Sequence, residues 1–304
     1  MLPFRVHIIG CCSAIPTLRH NPSAQVINFH DRLFLIDCGE GTQRELIRQR
    51  IPIGRIGHVF ISHLHGDHFY GLPGLLNTLS LSGVSKPLHV YAFAPLQHML
   101  APLLNYHKRS ADEPLIFHPV SEKGFETIYE DKELQVSTLP LHHGVPCVGY
   151  VFREKHSLPH IRKDKIADLH IPHTAIAAIK AGGDWTDAQG THHRHASLVT
   201  PADAPRTYVY MTDTRPCHTL AKHISGANLL YHEATYASDC TQKALEYCHS
   251  TAAEAAAFAK QSNVKRLLIG HYSDRYASEQ ILLDEAQPIF TDTQAAQEGM
   301  TIDV

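Results

Sequence analysis

No two cysteines of the 304-residue chain stand at C-x-x-C spacing. The seven present (Cys11, Cys12, Cys38, Cys147, Cys217, Cys240 and Cys248) are scattered and odd in number, so reduced thiols in a cytoplasm are expected rather than a disulfide framework. Also missing is any uninterrupted apolar run of the roughly 18 residues that a membrane span needs. The N-terminal stretch Phe4–Ile9 alternates as a strand does, not as the core of a signal peptide does. Charge of one sign is scarce: 27 Lys and Arg against 30 Asp and Glu leave −3, so a polyanionic partner has to be met by local patches. No repeat of fixed period is visible. These absences leave a chain expected to be intracellular and not membrane-bound. Its 43% hydrophobic content suffices for one large domain or two small ones.

Short strand-like runs recur along it: Val6–Ile9, Gln25–Phe29, Leu33–Ile36, His58–Ile61, Leu88–Tyr91, Leu134–Leu139, Val148–Phe152, Tyr208–Met211, Leu229–Tyr231 and Arg266–Ile269. Helices are expected over Gly71–Leu81, Leu96–Tyr106 and Glu279–Ala286, and after His249, where Thr251 and Glu254 form a capping box ahead of an alanine-rich stretch. The class is mixed α and β. From Arg153 to about residue 200 the chain turns polar and histidine-rich, with only His173–Lys180 looking helical, which reads as an insertion, an arm or a long loop.

Histidine is the residue in excess, with 25 copies. His89, His98, His107, His118 and His223 stand alone among apolar or mixed neighbours and carry no functional signal. Position singles out others. After the run His58–Ile61 comes Ser62-His63-Leu64-His65-Gly66-Asp67-His68, an H-x-H-x-D-H pattern. In a tight loop at a strand end His63 and His65 turn to one side and Asp67 and His68 to the other, offering two adjacent sets of metal ligands. Lone residues follow at the ends of later runs: His143, Asp213 and His271. A site assembled from strand ends requires such a distribution.

This ordered set resembles the metallo-β-lactamase superfamily and, within it, the ribonuclease Z family. The resemblance extends to Ile36-Asp37-Cys38-Gly39-Glu40-Gly41-Thr42-Gln43, Cys147-Val148-Gly149-Tyr150, Thr212-Asp213-Thr214-Arg215-Pro216, His232-Glu233-Ala234-Thr235, His249-Ser250-Thr251-Ala252 and Gly270-His271-Tyr272-Ser273-Asp274-Arg275-Tyr276, and so covers the whole chain. It implies one αββα domain over residues 1–304, two packed mixed sheets flanked by helices, with the arm at about 153–200 inserted in it. It also implies two Zn2+ ions, or Mn2+ or Fe2+, with His63, His65 and His143 on one, Asp67, His68 and His271 on the other, and Asp213 bridging. Two such ions share a hydroxide at neutral pH and neutralise a phosphodiester under in-line attack.

Within that resemblance Asp67 either takes the proton of the shared water or is a ligand only. His249, just outside its helix, meets a phosphate oxygen or protonates the leaving oxygen. His232 and Glu233 are expected to orient His249 or a ligand without touching metal, and Asp37 to hold a ligating histidine. The implied activity is removal of the 3′ trailer from precursor tRNA by a homodimer, leaving a 3′-hydroxyl. The rival readings are a broad small-substrate phosphodiesterase or esterase and, ranked last because every ligand is present, an inactive RNA-binding subunit.

Two departures stand out. Pro16-Thr17-Leu18-Arg19-His20-Asn21 has Leu18 and His20 where the family usually has basic residues, leaving Arg19 and Asn21 as candidate tRNA contacts. The arm lacks a Gly-Pro-rich knuckle, yet Arg153, Lys155, Arg162, Lys163 and Lys165 outnumber Glu154 and Asp164 by three, which suits an RNA backbone.

Overall fold

Strand Phe4–Gly10 buries Phe4, Val6 and Ile8 and turns Arg5 and His7 outward, and Arg5 meets Asp303 on the neighbouring strand. That alternation begins the first of two seven-stranded sheets in the computed structural model, which describes residues 2–84, 86–106, 115–155 and 158–304. His107 lies outside the described residues, as do His156 and Ser157 within the arm.

The first sheet runs Thr301–Asp303, Phe4–Gly10, Ala24–Phe29, Arg32–Ile36, Ile56–Phe60, Leu88–Ala92 and Leu115–Pro119. Its first three pairings are antiparallel and its last three parallel. The second runs Thr293–Ala295, Leu267–Gly270, Leu229–Glu233, Thr207–Met211, Val148–Glu154, Leu134–Pro140 and Thr127–Glu130. Here the first three pairings are parallel and the rest antiparallel. Both sheets are mixed, as expected.

Their inner faces close on one core. Phe60 meets Tyr150 and Phe152 edge-on at 5.4 and 5.5 Å, and Phe34 meets Phe152 at 6.1 Å, so rings from the two sheets interlock. Such pairs add about 0.5–1.5 kcal/mol each beyond their buried area. Outside the first sheet, Val26, Leu35 and Val59 pack on Leu46 of helix Thr42–Arg48 and on Leu72, Leu75 and Leu79 of helix Leu72–Leu81. The second sheet is covered by helices Ala252–Gln261 and Gln280–Ala286. The layers are therefore αββα. Among the described residues no helix is long and apolar enough to cross a membrane.

The expected capping box is present in full: Thr251 Oγ1 accepts from the Glu254 amide at 3.2 Å and Glu254 Oε2 from the Thr251 amide at 2.8 Å. The arm holds more structure than its polar composition announces. Helix His173–Lys180 forms as expected, and short helices Lys163–Asp168 and His195–Leu198 join it around buried Ile171, Ile179 and Leu198. His160–Ile161 pairs with Val199–Thr200, so the insert leaves and returns at one place. Arg153 is not part of it, being the penultimate residue of the sheet strand Val148–Glu154.

The topology gathers strand exits at one edge. Ile56–Phe60, Thr207–Met211 and Leu267–Gly270 each lead into a candidate ligand, and the antiparallel Leu134–Pro140 leads into His143. Ligands in open α/β sheets bind beyond the carboxyl ends of strands for this reason.

Candidate metal centre

Backbone conformation is unusual at the exits: Asp37, Asp213 and His271 all have positive φ, at 54°, 35° and 61°. Left-handed geometry costs an L-residue about 1–2 kcal/mol, so each turn is held by what its side chain gains.

Asp213 sits at the middle, 2% exposed, with its two oxygens divided. Oδ1 lies 3.7 Å from His63 Nε2 and 3.8 Å from His143 Nε2; Oδ2 lies 3.2 Å from His68 Nε2 and 3.3 Å from His271 Nε2. On the first side His65 Nδ1 is 3.1 Å from His63 Nε2 and 3.2 Å from His143 Nε2. Nitrogens about 2.0–2.1 Å from one tetrahedral ion would be roughly 3.3 Å apart. On the second side Asp67 Oδ2 lies 3.4 Å from His68 Nε2 and 3.6 Å from His271 Nε2. The seven expected ligands thus gather in two groups, His63, His65, His143 and Asp213 in one and Asp67, His68 and His271 in the other, with Asp213 reaching His68 and His271 as well and forming a further cluster with His271 and His249.

Hydrogen bonds behind the ring nitrogens fix which of them face the centre. His68 Nδ1 donates to Asp37 Oδ2 at 2.7 Å. Ser62 Oγ donates to the same oxygen at 2.9 Å, so it accepts from His63 Nδ1 at 3.1 Å. Thr235 Oγ1 donates to Glu233 Oε2 at 2.6 Å, so it accepts from His271 Nδ1 at 2.9 Å. In each case Nδ1 is engaged by its support and Nε2 is the atom that faces the centre. His68 Nε2 and His271 Nε2 are buried with no hydrogen-bond partner in the protein, the signature of atoms shaped to meet a cation. The donor set of five imidazoles and two carboxylates suits a divalent transition metal.

Electrostatics agree. Burial raises the Asp213 carboxyl, but the imidazoles of His271, His68 and His63 outweigh it and hold it well below the usual range. Asp67 is likewise held far down, burial being outweighed by His68 and His271. Burial lowers His63 and His143, keeping them neutral and able to ligate. For His68 burial lowers the pKa, yet Asp213, Asp67 and Asp37 drive it well up: three carboxylates there demand positive charge.

His249 stands beside the centre, its ring 5.2 Å from that of His143 and 5.4 Å from that of His271. Its Nδ1 lies 2.8 Å from Glu233 Oε1. Burial lowers its pKa, but Glu233, Asp213 and Asp67 prevail and raise it to about 9. Glu233 also takes the Thr214 amide at 2.8 Å, so one carboxylate braces His249, the Asp213 loop and, through Thr235, His271. A cleft of about 520 Å³ opens over the centre, walled by Ala14, Ile15, Tyr70, Tyr247 and His249.

Other candidates lie elsewhere. His232 faces the opposite side from Glu233: its Nδ1 bonds the Glu233 carbonyl at 2.7 Å and its ring packs on Phe258 at 5.4 Å. Adjacent strand residues point to opposite faces, so of the two expected to orient His249 or a ligand only Glu233 reaches His249, and His232 does not. Arg19 is spent on Glu279 and the carbonyls of Tyr276 and Ala277, and Asn21 Nδ2 reaches only the Ile9 carbonyl. Lys155 binds Glu130 and the Asp131 carbonyl, Arg162 binds Asp164, and Lys165 approaches Asp168, whereas Arg153 and Lys163 are exposed. Ser62, Thr235 and Tyr210, whose hydroxyl donates to Asp37 at 2.8 Å, were not singled out. Thr235, two residues beyond Glu233, was findable from strand period alone.

The family profile described as Metallo-beta-lactamase superfamily matches residues 20–158. A metallo-β-lactamase fold protein from Bacillus subtilis shares the fold at TM-score 0.69 and 19% identity, each chain covered in full. Fold and donor cluster are those of a protein of the metallo-β-lactamase fold. Human tRNase Z, short form, superposes at TM-score 0.70 with 25% identity over 98% of both chains. The proteins called Ribonuclease Z from Porphyromonas gingivalis and Bacteroides fragilis are 43% and 41% identical over 100% and 99% of both chains. The chain belongs to the ribonuclease Z family.

Removing the support tests the geometry. Asp37→Ala strips the partner from His68 Nδ1 and from the buried Tyr210 hydroxyl. Metal affinity is expected to fall about ten- to a hundredfold, and stability by about 1–3 kcal/mol for each orphaned group. Metal titration and urea unfolding check both, and an unchanged affinity would remove Asp37 from the centre.

Proposed function

We propose that the chain is a zinc-dependent endoribonuclease, a cytoplasmic homodimer that removes the 3′ trailer from precursor tRNA and leaves a 3′-hydroxyl on the tRNA. The substrate comes from full-length membership of the ribonuclease Z family. The chemistry rests on one observation: a buried carboxylate shared by two groups of inward-facing ligand atoms, with His249 at the open side.

In this reading His63, His65, His143 and Asp213 hold one ion and Asp67, His68, His271 and Asp213 the other, manganese and iron being alternatives to zinc. When bound, the two ions supply a hydroxide at neutral pH and offset charge on the phosphodiester. Asp67, held ionised and accepting the Ala14 amide at 2.8 Å, is a poor proton acceptor, which supports a ligand role over a base role. Glu233 fixes the His249 ring through Nδ1 and keeps it cationic at neutral pH, leaving Nε2 for the phosphate or the leaving 3′-oxygen.

Cleavage of one precursor tRNA with mapping of both ends is the direct test. A cut after the discriminator nucleotide with a 3′-hydroxyl is expected; hydrolysis of small diesters with no tRNA cleavage would favour the broad phosphodiesterase. Asp213→Ala is expected to lose metal and activity together, read by elemental analysis beside the assay.

His249→Ala is expected to keep its metals and lower kcat by about two to four orders of magnitude. Turnover of tRNA at the wild-type rate would reduce His249 to a residue that merely precedes a helix.

The arm is read as an RNA grip, with one subunit holding tRNA bound at the other. Because His160–Ile161 pairs with Val199–Thr200, residues 160–200 can be replaced by a short linker without cutting the arm's own core. Precursor-tRNA binding should weaken and its log–log salt slope flatten by a little under one unit per lost phosphate contact. Hydrolysis of a small chromogenic diester should persist. The opposite pattern would make the arm part of the active site.

A further inference from the structure

The cleft wall built by Cys11–Pro22 is held from its far side. The Cys11 and Cys12 amides donate to the Asn21 carbonyl at 2.9 and 3.0 Å, and the Ser13 amide to Tyr272 O at 3.0 Å. Thr17 Oγ1 accepts from the His20 amide at 2.9 Å. The tip, Ser13 to Pro16, faces the cleft, and there Ala14, at φ 63°, donates its amide to Asp67 Oδ2 at 2.8 Å. A left-handed alanine persists only where its surroundings impose it.

His20 supplies the anchor. It is 8% exposed, with Nδ1 2.8 Å from Glu298 Oε2 and Nε2 2.8 Å from Glu279 Oε1. A neutral imidazole has one N–H, and two carboxylates at hydrogen-bond distance require two. The ring is therefore an imidazolium. Arg19 shares Glu279 at 2.7 Å, and Glu298 Oε1 accepts the Asn21 amide at 2.8 Å. Cys11 Sγ lies 3.4 Å from His20 Nδ1 and 3.6 Å from Glu298, and burial pushes its thiol well up, so it adds no charge. Tyr272, with its ring 5.8 Å from that of His20, is also kept neutral by burial.

We propose that His20, clasped as a cation between Glu279 and Glu298, is a positioning residue for hydrolysis: it sets the loop that brings the Ala14 amide to Asp67 and shapes the wall met by the RNA end. This rests on the reading of the cleft as the hydrolytic centre. The Glu298 hydrogen bond, against burial and with help from Glu279, raises the His20 pKa. A raised pKa means that the clasp is complete below the ordinary histidine value and is lost as pH rises through the raised one. Deprotonation removes one of the two ring donors and sets a nitrogen lone pair against a carboxylate oxygen, and the loop loosens.

The test uses the full-length, metal-loaded enzyme with His20→Gln and, because that variant can fold poorly, Glu298→Gln, which leaves the ring in place. The readouts are kcat and KM on precursor tRNA and on bis(4-nitrophenyl) phosphate across pH, with metal content. Wild type should show an alkaline fall in kcat, Glu298→Gln the same fall displaced to lower pH, and His20→Gln a kcat about ten- to a hundredfold lower with its two metals retained. His20→Arg, permanently charged, should restore part of the rate and lack the alkaline fall. Coincident pH profiles for wild type and Glu298→Gln overturn the proposal. So does a third metal equivalent in wild type that His20→Gln removes, since Cys11, His20 and Glu298 would then be ligands. A wild-type enzyme that ignores precursor tRNA defeats the functional reading instead, and the small diester still decides the clasp.

Discussion

One buried carboxylate organises the site. Asp213 is buried, and burying an uncompensated anion is far too costly for a marginally stable protein. Its neighbours on both sides are the ring nitrogens of His63, His143, His68 and His271, and against burial Asp213, Asp67 and Asp37 together drive the pKa of His68 well up. The arrangement is electrically incomplete unless positive charge occupies the two spaces that Asp213 separates. Strand ends, left-handed turns and the hydroxyl relays all serve to hold ligands around those spaces.

The relays have a common logic. Asp37 and Glu233 are acceptors deep in the protein, one between the sheets and one at a strand end. Each imposes a direction on an intervening hydroxyl, Ser62 or Thr235, which in turn imposes a tautomer on a histidine. Ring orientation is thereby set before any ion arrives, which lowers the reorganisation that binding requires. Glu233 carries this furthest, since the same carboxylate braces His249.

The interior strands were legible because strands buried on both faces read as continuous apolar runs, as in Leu267-Leu268-Ile269. Edge strands Thr127–Glu130, Thr293–Ala295 and Thr301–Asp303 escaped: they are short and half polar, a composition that protects edges and erases the signal. The candidate donor residues were legible from H-x-H-x-D-H and from lone residues after apolar runs, while the expectation of two ions came from the family resemblance. The error over His232 arose from treating neighbours in a motif as neighbours in space. Inside the arm, Ile171, Ile179 and Leu198 are too far apart in sequence to make a periodic pattern, so a small core passed for a loop.

The pairing of Phe4–Gly10 with Thr301–Asp303 bears on how the molecule is made. Val304 donates its amide to the Phe4 carbonyl and Ile8 to that of Met300, so Phe4–Gly10 stays unpaired on that side until Thr301–Asp303 has been made. At about 5–20 residues per second that wait lasts roughly 15–60 s on a ribosome. Meanwhile Phe4 and Ile8 are covered by the hairpin to Ala24–Phe29 and by the core residues that follow it. Glu298 belongs to the same stretch, so the cleft wall acquires its brace well after the loop itself is made. The wall's brace is thereby contributed by a segment 278 residues further along the chain.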